Sequence, residues 1–109
     1  MATTYKVLGQ VNPSAATATT LYPVPSATEA IVSTITVCNQ AATAGTYRIA
    51  VRPNADTLAA KHYVAYDISL PANTTDTLTL GITLDATDVI TIYASSANFS
   101  FNAFGSEIA

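Results

Sequence analysis

The chain has 109 residues, enough for one ordinary domain that buries its own core without disulfide or metal staples. Its one cysteine, Cys38, excludes an intramolecular disulfide framework and a multi-cysteine metal site. Charged residues make up only 10% of the chain, against about 25% in an average soluble domain. With four basic residues and a net charge of −3, it has too few cations to neutralise several phosphates, so nucleic acid is not an expected partner.

In chain order, residues 4–10 read as a first strand, ended by the turn signal Asn12-Pro13-Ser14. Residues 17–22 form a short second strand, closed by Pro23 and Pro25, which forbid a central ladder. Ser26 and Glu29 have helix-capping spacing, but the β-branched run that follows favours a turn. Residues 30–39 are the strongest strand. Period-2 alternation puts Ile31, Ser33, Ile35 and Val37 on one face and Val32, Thr34, Thr36 and Cys38 on the other. Residues 46–52 return antiparallel, with Tyr47, Ile49 and Val51 opposite Arg48, Ala50 and Arg52.

Residues 53–61 are a loop with a helical turn expected over residues 57–60. Residues 62–70 set Tyr63 and Ala65 against Val64 and Tyr66. Residues 75–80 alternate Thr77 and Thr79 with Leu78 and Leu80, and Gly81 ends them. After the polar turn at residues 84–88, residues 89–95 and 98–104 make a terminal pair. About eight short strands with turn signals every 8–12 residues predict an all-β single domain over residues 1–109, an antiparallel β-sandwich of jelly-roll or immunoglobulin-like type.

Candidate chemistry is sparse. His62 is the one imidazole, and the chain has no Gly-x-Ser-x-Gly elbow, so no hydrolytic triad is expected. A lone strand histidine reads as a surface or interface residue, and Cys38 as a buried small hydrophobe. Asp85 and Asp88 flank a turn, where carboxylates bond backbone N–H groups, and with Asp76 they offer too few oxygens for calcium. The chain is therefore read as non-enzymatic, without metal or cofactor. No stretch has the roughly 18 consecutive apolar residues of a membrane span, and Met1-Ala2-Thr3-Thr4-Tyr5 lacks the pattern of a secretory leader. Synthesis in the cytoplasm, with no membrane association, is expected. Without a leader, the sequons at Asn73 and Asn98 are chance matches.

Interface residues are the remaining candidates. A surface so poor in charge is either a hydroxyl-rich β-surface or one that lies within an assembly; the two readings are compatible. Phe99 and Phe101 share a face and read as core, whereas Phe104 falls on the opposite face near the chain end. Arg48 and Arg52 alternate onto the outward face of their strand, where guanidinium forks could meet carboxylates of a neighbouring subunit. Arg48, Arg52 and Phe104 are the candidate interface residues.

Longer runs carry a resemblance. Thr20-Leu21-Tyr22-Pro23-Val24-Pro25 and Val32-Ser33-Thr34-Ile35-Thr36-Val37-Cys38-Asn39 resemble a small structural protein of tailed bacteriophages, marine and cyanobacterial phages included. Tyr47-Arg48-Ile49-Ala50-Val51-Arg52-Pro53, Leu80-Gly81-Ile82-Thr83-Leu84, and Ser100-Phe101-Asn102-Ala103-Phe104-Gly105-Ser106-Glu107 continue the likeness over nearly the whole chain. It implies a virion component, made in the host cytoplasm. The role expected first is a decoration (cement) protein on the outer head surface, contacting the major capsid protein and its own copies in a homo-oligomer or symmetric array. A tail, collar or baseplate component such as a fibre adaptor comes second. A carbohydrate-binding host-surface module comes third, against which stands the absence of Trp.

Overall fold

Runs of Val, Ile and Thr become strands along the whole chain in the computed structural model, which describes residues 2–109. The strands are β1 (Thr3–Val11), β2 (Thr19–Pro23), β3 (Glu29–Asn39), β4 (Gly45–Arg52), β5 (Tyr63–Leu70), β6 (Thr74–Leu78), β7 (Ile82–Leu84), β8 (Val89–Ala94) and β9 (Phe99–Ile108). Every pairing is antiparallel, and the pairs are nested: β1 with β9, β2 with β8, β3 with β6 and β7, β4 with β5. The chain is thus one long hairpin, turned between β4 and β5, that rolls up on itself. Pairing of β9 with β3 and of β8 with β4 joins the nested pairs into two sheets. Their orders are β1-β9-β3-β6, with β7 also on β3, and β2-β8-β4-β5. This nesting is the jelly roll, one of the two sandwich forms expected.

Three local expectations are corrected. The strand expected over 75–80 stops at Leu78, leaving Leu80 exposed, and the chain re-pairs with β3 as the unexpected β7. Gly81 makes the break, at φ +63, a conformation costly for residues with a side chain. β6 and β7 are therefore one interrupted strand, and nine segments stand where about eight were expected. The helical turn expected over 57–60 is replaced by 3-10 turns at Pro53–Ala55 and Ala60–His62. The last strand runs on past Phe104 to Ile108, held by β1 on one side and β3 on the other.

The core lies between the sheets. Ile35, Val37, Phe99, Phe101 and Ala103 face Tyr47, Ile49, Ile90, Ile92 and Leu70, all essentially inaccessible to solvent. The Tyr47 ring meets Phe101 edge-on at 6.3 Å, a favoured aromatic geometry. Two tyrosine hydroxyls tie the sheets together: Tyr22 donates to Glu107 at 2.5 Å, and Tyr47 to Asp76 at 2.8 Å. Burial, reinforced by the facing carboxylate, pushes both hydroxyls above their ordinary pKa. Asn39 is fully buried yet satisfied: its amide donates to the carbonyls of Thr43, Leu70 and Pro71, and its oxygen accepts the Ala41 N–H.

One irregularity decides what faces outward. Between Val32 and Thr34 the register of β3 against β9 slips by one residue, so Ser33 is an extra residue, and its hydroxyl donates to the Phe104 carbonyl. A slip of one residue reverses which side chains point inward. Before the bulge Ala30 and Val32 are buried; after it Ile35, Val37 and Asn39 are. The single-face assignment of Ile31 with Ile35 is overturned: Ile35 is buried, and Ile31 is 42% exposed. β1 carries a matching slip between Val7 and Gly9, on the other side of Phe104.

Candidate interface

The two bulges and the register of β9 bring four large apolar side chains onto the outer face of the five-stranded sheet. Val7 pairs across the ladder with Phe104, while Tyr5 and Ile31 both flank Ser106. Tyr5 is 85% exposed, and Val7, Ile31 and Phe104 are all more than a third exposed. They surround a shallow depression of about 530 Å³ floored by Gly105. Gly105 has no alternative here, because a Cβ would overlap the carbonyl oxygen of Ile31. A contiguous apolar area on a sheet face marks a contact surface more often than a solvated one.

Phe104, the aromatic singled out in the sequence, is one of the four and stands on β9, between β1 and β3. Tyr5, Val7 and Ile31 escape sequence reasoning. Alternation separates Tyr5 and Val7 from Lys6, which normally marks the inward side of a strand, and Ile31 becomes exposed only through the Ser33 bulge. Beside the patch, Lys6 pairs with Glu107 at 3.1 Å, and Glu107 also accepts from Tyr22. The Tyr22 hydroxyl, then Lys6, hold the Glu107 carboxyl below its usual pKa.

Arg48 and Arg52 lie on the opposite, four-stranded sheet. Arg48 is clamped between the rings of Tyr66 and Tyr93, at 4.3 and 4.2 Å, and donates to Asp67 at 2.6 Å. The Asp67 hydrogen bond raises its pKa further. Arg52 donates to the Thr91 hydroxyl at 3.0 Å and to the Asp56 carbonyl at 2.9 Å. Both guanidinium groups thus have partners within their own chain. The structure does not join Arg48 and Arg52 with Phe104 in one site. A second apolar area, Val64, Tyr66 and Ile68, lies on β5 at the edge of this sheet.

The other candidates resolve locally. His62 is buried, not superficial: it ends the second 3-10 turn, and its Nδ1 accepts the Ala59 N–H at 2.9 Å. Its Nε2 lies 3.5 Å from an Asp56 carboxylate oxygen. Cys38 is half-buried on the outer face, across from Thr75 and Ser100, so the buried-hydrophobe reading is also corrected. The Ser33 slip does not reverse this part of β3, where the inward positions are Val37 and Asn39. Asp88 accepts the N–H groups of Asn54 and Asp85, and Asp85 that of Ala86, as turn aspartates do. Among the described residues no three His, Cys, Asp or Glu side chains converge as metal ligands would. No protein-family model matches the chain, and no curated protein sequence is significantly similar to it.

Proposed function

We propose that this protein is a non-enzymatic structural component of a tailed-bacteriophage virion, and that it decorates the outer surface of the head. The observation that carries the reading is the apolar face of Tyr5, Val7, Ile31 and Phe104, set on a jelly roll with very few charges. A flat face of this kind suits docking on a protein lattice. Aromatic and aliphatic anchors at its centre supply most of the affinity, and repetition over the capsid multiplies modest contacts. Two further points support the reading. Jelly rolls recur among viral capsid domains, and the long runs quoted above resemble phage structural proteins.

The test is add-back to particles stripped of this protein, with occupancy measured at matched concentration. Phe104→Ser and Ile31→Ser are expected to stay folded and to lose at least about tenfold in apparent affinity, as central anchors do. A parallel arm with Arg48→Ala/Arg52→Ala tests the opposite sheet. If that arm loses occupancy while the apolar-face variants keep it, docking belongs to the four-stranded sheet. Copy number separates head from tail. Hundreds of copies per particle fit decoration of the head; a count of three, six or twelve would assign the chain to a tail, collar or baseplate instead.

A further inference from the structure

A jelly roll has four sheet edges, and in this chain three of them are blunted. The β5 edge carries two register slips against β4, and Asp67 stands there at φ +50. The β6–β7 edge is broken at Gly81. The β2 edge is five residues long, carries its own slip and runs into Pro23 and Pro25. Such features stop strands of other molecules from adding to a sheet. The β1 edge differs: from Thr3 to Val7 its register with β9 is unbroken, and it contains no proline.

The direction of the hydrogen bonds shows what that edge offers. Ala2 and Ala109 exchange both backbone bonds, at 2.8 and 3.1 Å. In an antiparallel ladder the direction alternates, so Ala2, Thr4 and Lys6 bond toward β9. The N–H and C=O groups of Thr3, Tyr5 and Val7 therefore point away from the sheet, and among the described residues no strand pairs with β1 on that side. Beyond Val7 the bulge turns β1 toward β2, where a Cβ on Gly9 would overlap the Leu21 carbonyl oxygen. The open edge is thus a straight segment with Tyr5 at its centre.

We propose that this edge pairs with the same edge of a second copy, antiparallel about a two-fold axis through Tyr5. Tyr5 then exchanges both backbone bonds with Tyr5 of the second copy, and Thr3 exchanges both with its Val7. The segment is self-complementary in this register, as a two-fold interface requires. Charge agrees as well. Lys6 falls opposite Thr4 of the other copy, whose neighbour on the far side is Glu107, so a cation approaches a carboxylate and no like charges meet. On the outer face the apolar patches of the two copies become one band across the axis. Self-association and docking are therefore compatible. The segment is short and buries well under the roughly 800 Å² per partner of a standard interface, so the dimer is weak in solution and favoured on a crowded lattice.

This goes beyond the virion reading and does not depend on it, because the test uses the purified full chain. Sedimentation velocity from about 10 µM to about 1 mM is expected to show a concentration-dependent shift from monomer to dimer, since a weak interface dissociates in this range. Over the same series, amide exchange at Thr3, Tyr5 and Val7 slows. Tyr5→Pro removes an outward N–H that β9 does not use and is expected to weaken the dimer at least tenfold; Thr3→Pro does the same should Tyr5→Pro fold poorly. Phe104→Ser, which alters the face and not the edge, leaves the dimer intact. A monomer at all concentrations overturns the proposal. So does a dimer that survives both prolines, or one lost in Phe104→Ser and kept in Tyr5→Pro.

Discussion

Truncating Ile35 and Ile31 separately tests the bulge on which the apolar face depends. The two residues lie four apart on one strand, and unbroken alternation would place both in the core. Ile→Ala removes three carbons, worth about 0.8 kcal/mol each when fully buried, or roughly 2.4 kcal/mol. At Ile35, which has no exposure and packs among the core residues, the cavity left behind raises the loss to about 2–5 kcal/mol. At Ile31, 42% exposed, only part of the transfer free energy is at stake and no closed cavity forms, so about 1 kcal/mol is expected. Urea titrations of the two variants and the parent, at matched m-values, measure the difference directly. Ile35→Ala should be the more destabilising by at least about 1 kcal/mol. Losses that agree within about 0.5 kcal/mol would mean that β3 runs without the Ser33 slip, and the outward face would lose Ile31.

Other outcomes follow from single contacts. Glu107 has a lowered pKa in the fold, so its contribution to stability is complete above its unfolded value of about 4.3 and is lost as the pH falls through the folded value. Glu107→Gln should flatten that acid limb of a stability–pH curve, and an unchanged limb would remove the Tyr22 and Lys6 contacts as its cause. Gly9→Ala places a Cβ against the Leu21 carbonyl and should cost about 1–3 kcal/mol or more by forcing β1 away from β2; a thermal melt identical to the parent's would refute that crossing. Cys38, half-buried on the outer face, should react with a thiol reagent in the native protein, whereas a core thiol would wait for unfolding. His62→Ala should disturb the Ala60–His62 turn by freeing the Ala59 N–H, with local amide exchange faster at Ala59 as the readout.

The sequence by itself determined the class of fold. Alternating Val, Ile and Thr runs, Pro and Gly breaks at short intervals, and a core of inward aromatics such as Tyr47, Phe99 and Phe101 are local signals, and each acts within a few residues. Asp85 and Asp88 were legible for the same reason, since a turn carboxylate bonds N–H groups beside it in the chain. Register and exposure are different, because they depend on what lies across the ladder. Nothing near Ser33 marks it as an extra residue; the slip exists only against β9, and it moves Ile31 from the core to the surface. Likewise Tyr5 and Val7 look inward by alternation with Lys6, but β1 is an edge strand whose inner side carries Lys6 to Glu107. Arg48 looked available to a neighbour until the fold brought Asp67, Tyr66 and Tyr93 around it from β5 and β8. Side-chain period is a property of one strand, whereas burial is a property of two sheets, so only the tertiary structure could set which apolar side chains face outward and which strand edge is left open.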